Sequence, residues 1–89
     1  MSNWNRSYDQ FIKREERKLD EINRAKIFGG NLTKAIEESG MTITEVEKAS
    51  MIYPRTLYDY MKGTSSPKAY NLHVLAKVLK IDVRGLYPL

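Results

Sequence analysis

Residues 42–63, Thr-Ile-Thr-Glu-Val-Glu-Lys-Ala-Ser-Met-Ile-Tyr-Pro-Arg-Thr-Leu-Tyr-Asp-Tyr-Met-Lys-Gly, constrain this chain more than any other segment. Thr42 followed three positions later by Glu45 is a capping-box pattern that starts a helix. Thr44 with Glu47 repeats it two residues on, so the start is open by that much. The helix reaches about Ala49 or Ser50, and Met51-Ile52-Tyr53 turn the chain. Pro54 suits the first turn of a second helix, where its missing N–H costs nothing. Gly63 suits the position just past that helix's end. Two short helices joined by a tight turn is the layout that presents the start of one helix to the major groove of DNA.

The rest of the chain reads as support for that pair. With 89 residues there is room for one modest core. An apolar fraction of 42% is ordinary for a globular chain. No apolar run approaches the length of a membrane span, and the N-terminus lacks a signal-peptide pattern. The absence of cysteine excludes disulfides and thiolate zinc sites. Cytoplasmic residence is the expectation. The net charge of +4 and pI near 9.4 suit a polyanionic partner. The surplus is spread along the chain, so a DNA surface has to be a local patch.

Two regions are expected: an arm over residues 1–28 and a compact helical domain over 29–89. In the arm, Trp4, Tyr8, Phe11, Ile12, Leu19, Ile22 and Ala25 fall within an arc of roughly 140° at helical spacing. Glu15 and Lys18 interrupt that arc. The stripe either packs on its own domain or contacts a partner or second subunit; pattern alone leaves both open. Gly29-Gly30 is the one plausible break, as a hinge or a close helix approach. A short helix over 31–39 follows, with Leu32, Ala35 and Ile36 inward and Gly40 after its end. Beyond Gly63, a loop leads to Pro67, which can open a fourth helix with Leu72, Leu75, Ala76 and Leu79 inward. Ile81 and Val83 continue the core, and Leu86 with Tyr87 form a last turn. No strand is required, so the fold class is all-α.

From Gly63 onward the short loop, Pro67, Ala76, Leu79, Ile81 and Leu86 are spaced as in the Cro and phage-repressor helix-turn-helix family, which this chain resembles over about residues 28–87. Val46, Ile52, Leu57 and Thr42 also match that family. The resemblance implies a five-helix, lambda-repressor-like domain, here with an extra N-terminal amphipathic helix. Three positions depart from the family's pattern. Glu47 stands where alanine is usual, Met51 where the turn glycine is usual, and Ile43 where a glutamine is common. The turn glycine often has positive φ, which methionine adopts only at a cost. Either the local geometry shifts, or Ala49 and Ser50 supply the close contact instead.

Position by position, the resemblance puts Pro54, Arg55 and Asp59 where family members contact bases, with Tyr58 beside them. Arg55 is the strongest of these, because a guanidinium bonds guanine O6 and N7 together; otherwise it is a surface arginine paired with Asp59 four residues on. Thr42 and Thr44 at a helix N-terminus suit phosphate. Tyr53, Thr56, Lys62, Thr64, Lys68 and Asn71 complete the expected phosphate contacts. Tyr53 is also at the cap of the third helix, with its hydroxyl in reach of backbone. No catalytic constellation, phosphate loop, metal-ligand cluster or cofactor motif is legible, and His73 is the sole histidine. The expected partners are a palindromic double-stranded operator and a second copy of the chain, as in a phage or prophage repressor, with no small-molecule substrate. The other reading is a protein-interaction module of antitoxin or antirepressor kind, gripping a partner through the arm.

Overall fold

A computed structural model describes residues 3–87, with side chains placed at Gln10 and from Ile12 onward. Its elements are α1 (Asn3–Ser39), α2 (Ile43–Ser50), α3 (Pro54–Lys62), α4 (Ala69–Leu79) and a short 3-10 turn (Val83–Gly85). Among the described residues the fold is thus all-α with four α-helices, where a five-helix domain with an extra N-terminal helix was expected. The difference is at both ends. The arm and the expected helix over 31–39 are one 37-residue helix, and the fifth element shrinks to the 3-10 turn. Pro67 lies before α4, whose N-cap is Lys68.

Gly29-Gly30 does not break α1, and the reason lies in packing. Both glycines are helical, and Gly29 is where α3 crosses α1. A Cβ on Gly29 would lie 2.6 Å from the Tyr60 carbonyl oxygen and 2.9 Å from the Gly63 nitrogen. Only glycine lets the two backbones approach this closely. The hinge reading is therefore replaced by the close-approach one.

The body forms on the C-terminal half of α1. Phe28, Leu32 and Ile36 bury against Val46, Ile52, Leu57, Tyr60, Leu72, Leu75, Leu79 and Leu86. Phe28 is fully buried and meets the Tyr60 ring edge-on at 5.5 Å, a favourable aromatic geometry. It therefore belongs to the core although the sequence reading left it in the arm. Ile81, expected inside, is 37% exposed because Lys80 turns the chain through a left-handed φ of 57° just before it. Val83 and Tyr87 are partly buried against the core instead.

The first half of α1 leaves the body. The molecule measures 59 × 23 × 19 Å, its long axis set by a helix that spans roughly 55 Å at 1.5 Å per residue. Residues 13–24 are exposed throughout, and Leu19 and Ile22 keep 59% and 51% of their surfaces in solvent. Leu19 and Ile22 therefore do not pack on their own domain, whereas Ala25 at the end of the stripe is buried against it and Ile12 is half-buried. The side chains of Trp4, Tyr8 and Phe11 lie outside the described residues. No helix among the described residues is long and apolar enough to cross a membrane.

Candidate nucleic-acid interface

The helix pair is built as its caps dictate. Thr42 Oγ1 accepts from the Glu45 N–H at 3.1 Å, and the Thr42 N–H donates to Glu45 Oε1 at 3.0 Å. The hydrogen bond from the Thr42 N–H holds the Glu45 carboxyl below its ordinary pKa, and the Thr42 side chain adds to this. The start of α2 is thus fixed by Thr42 rather than Thr44.

At the other end of α2, Met51 takes the left-handed conformation, φ 60° and ψ 21°, and its N–H donates to the Glu47 carbonyl. The turn geometry is retained without glycine, and the Met51 side chain is 87% exposed. Ser50 is the buried residue of this corner. Its hydroxyl donates to the Glu47 carbonyl and accepts from the Ile52 N–H. Ala49 is exposed and supplies no close contact, while Glu47 is half-buried at the edge.

Two buried side chains, Leu57 and Tyr60, seat α3 on the core. Tyr60 is fixed further by its hydroxyl, which accepts from Asn71 Nδ2 at 3.0 Å. That seating turns the other face outward. Pro54 is the first residue of α3, Tyr53 is 81% exposed, Tyr58 is 57% exposed, and the Arg55 side chain is 86% exposed. The N-terminal end of α3 stands clear of the body. Tyr53 makes no side-chain capping bond, so its hydroxyl does not reach the backbone as the sequence reading allowed.

Arg55 pairs with Asp59 through Nε, 3.4 Å from Oδ1. This exposed pair contributes little to stability, about 0.3–0.5 kcal/mol. Its geometric effect matters more. Engaging Nε leaves the two terminal nitrogens of the guanidinium for a bidentate acceptor. Lys62 Nζ lies 5.1 Å from the Tyr58 ring centroid, one turn along the same face.

The residues expected at phosphates divide by environment. Thr44, Lys62, Thr64 and Lys68 are exposed; Thr56 and Asn71 are half-buried. Thr64 donates its hydroxyl to the Asp59 carbonyl at 3.2 Å, which ties the loop to the end of α3. At the start of α2 the Glu45 carboxylate already faces the helix dipole. That opposes a phosphate beside Thr42 and favours contact further out, at Thr44.

One surface feature escaped the sequence reading. Ile43, the first residue of α2, is 47% exposed and lines a cleft of about 660 Å³ together with Pro54, Tyr58 and Met61. The signal was present in the sequence as an apolar residue in a helix's first turn, where neither capping nor core packing calls for one.

No curated protein and no solved structure matches this chain. A sequence profile described as helix-turn-helix matches residues 32–86, which takes in the C-terminal end of α1, the α2–α3 pair, α4 and the final turn. With the caps, the turn and the exposed α3 face in place, the chain belongs to the Cro/C1-type helix-turn-helix family of DNA-binding regulators.

Proposed function

We propose that the protein is a sequence-specific transcriptional regulator of the phage or prophage repressor and Cro kind, acting in the cytoplasm on a palindromic operator. The observation that carries this reading is the free N-terminal end of α3, with Arg55 steered by Asp59 and Tyr58 beside it. In the proposed complex Pro54, Arg55, Tyr58 and Asp59 face base edges. Arg55 takes a guanine, and Asp59 holds Arg55 while standing near enough to accept from a cytosine amino group. Thr44, Tyr53, Thr56, Lys62, Thr64, Lys68 and Asn71 meet the backbone on either side, with Thr42 shaping the start of α2.

A palindromic site requires two copies. The exposed stripe on the free half of α1, with Leu19 and Ile22 in solvent, supports a second chain as its partner. The dimer sets two α3 helices about 34 Å apart, one turn of duplex. The same stripe is the one feature that favours a protein-interaction role, and selection of bound duplexes from a random pool separates the two readings. A regulator enriches two-fold-symmetric sites, and its affinity falls steeply with salt. A protein-interaction module enriches nothing and shows almost no duplex affinity at any salt.

A further inference from the structure

We propose that the apolar strip made by Ile43, Pro54 and the Tyr58 ring reads thymine C5-methyl groups beside the base contacted by Arg55. This rests on the DNA-reading role of α3 and adds to it the kind of base the interface selects.

On the exposed face at the start of α3 the groups that can hydrogen-bond a base edge are Arg55, the one bidentate donor, with Asp59 and the Tyr58 hydroxyl; the Ile43–Pro54 edge beside them offers none. Pro54 has no donor on its side chain or its nitrogen, and Ile43 has no polar side-chain atom. Both border the same cleft as Tyr58 and Met61. Thr33, on the α1 side of that cleft, commits its hydroxyl to the Gly29 carbonyl at 2.9 Å. Glu47 is the one carboxylate on the cleft wall, and Arg55 and Lys62 bring two cations to the same opening. The surface is therefore apolar where α2 and α3 converge and cationic at its edge. It is also continuous with the face that carries Arg55.

Base chemistry follows from this. In the major groove, thymine alone among the four bases presents a methyl group; cytosine presents an amino donor and adenine a donor with an acceptor. Pressing an amino group against Ile43 and Pro54 strips it of water without returning a hydrogen bond. A methyl group placed there removes apolar surface from water on both sides. One buried methyl is worth ~0.8 kcal/mol, or roughly fourfold in affinity.

The test uses the full chain and three random duplex pools. One contains thymine, one has uracil in its place, and one has uracil together with 5-methylcytosine. From the thymine pool, the enriched half-sites should carry thymine next to a guanine. Replacing that thymine by uracil in the selected duplex should weaken binding roughly fourfold. In the third pool, methylcytosine should be enriched at the same position. Ile43→Ser should shrink the thymine-to-uracil penalty while leaving the guanine preference intact, and Pro54→Ala should shrink the same penalty.

Two outcomes overturn the inference and leave the α3 reading standing: uracil tolerated at every thymine of a selected site, or a uracil penalty unchanged in both variants. Failure to enrich any pool defeats the DNA reading itself, and this inference with it.

Discussion

Gly29 in the middle of α1 and Gly63 at the C-cap of α3 lie backbone to backbone. A Cβ placed on Gly29 would sit 2.9 Å from the Gly63 nitrogen, and one on Gly63 would sit 3.0 Å from the Lys26 Cα. Gly63 also has a left-handed φ of 78°. This crossing fixes the height and tilt of α3 on α1, and so decides where Arg55 points. Gly30, the next residue, has nothing within 4 Å of an added Cβ. The two neighbours should therefore respond oppositely to alanine. Gly29→Ala should lose about 1–3 kcal/mol by forcing rigid backbones apart. Gly30→Ala should gain about 0.5–1 kcal/mol through helix propensity. Urea unfolding of the two variants checks both signs. A Gly29→Ala protein as stable as the parent would mean that the crossing is looser than described.

Met51 supplies a second test of backbone chemistry. It occupies a left-handed conformation that costs an L-residue about 1–2 kcal/mol, and glycine returns about 0.4–1 kcal/mol of that as unfolded-state entropy. Met51→Gly should raise stability by up to about 1 kcal/mol, and thermal unfolding at fixed protein concentration measures it. Destabilisation would show that the exposed methionine makes a contact worth more than the strain.

The capping box predicts a pH response. Glu45 has its pKa lowered in the folded chain, so the unfolded chain binds its proton more tightly. The stabilisation is fully present above the ordinary glutamate range and is lost as pH falls through the lower, folded value. Glu45→Gln keeps a hydrogen-bonding group at that position and removes the titration. Unfolding midpoints of parent and variant should diverge at neutral pH and converge in acid. Parallel curves across that range would contradict the assignment.

The free half of α1 is tested by Leu19→Ser with Ile22→Ser. Both side chains are more than half exposed, so the monomer should lose little stability. The dimer contact proposed through them should weaken, as read by sedimentation over a range of concentration. A dimer of unchanged stability would move the contact away from α1. The same holds if deleting residues 1–26 leaves the dimer unchanged.

Much of this arrangement was legible in the residues. The box at Thr42 and Glu45, Pro54 and Gly63 are local signals, and local signals set the limits of α2 and α3. The inward positions Leu72, Leu75 and Leu79 followed from periodicity, and Val46, Ile52 and Leu57 from the apolar positions of the family the chain resembles. What escaped the reading was tertiary. Gly29-Gly30 looks like a break to any local rule, yet the residue that needs glycine there is Gly63, far along the chain. The burial of Phe28 depends on Tyr60 and Tyr87, which no pattern within the arm announces. Nothing local announces the left-handed turn at Lys80 that puts Ile81 outside. At the candidate interface, Arg55, Tyr58 and Asp59 are proposed from their positions in the motif, and the exposure of Arg55 and Tyr58 on α3 is what the structure adds. The cleft at Ile43 forms only where α2 and α3 converge, and no single helix shows it.

Sequence reading by α3 depends most directly on Arg55. Binding of the Arg55→Ala protein to its selected duplex and to random duplex, measured by fluorescence anisotropy at one salt concentration, isolates sequence reading from charge attraction. Affinity for the selected duplex should fall by about 1–3 kcal/mol, with preference relaxed at one base pair, while random-duplex affinity changes far less. An unchanged affinity for the selected duplex would contradict the assignment of α3 as the helix that reads the operator.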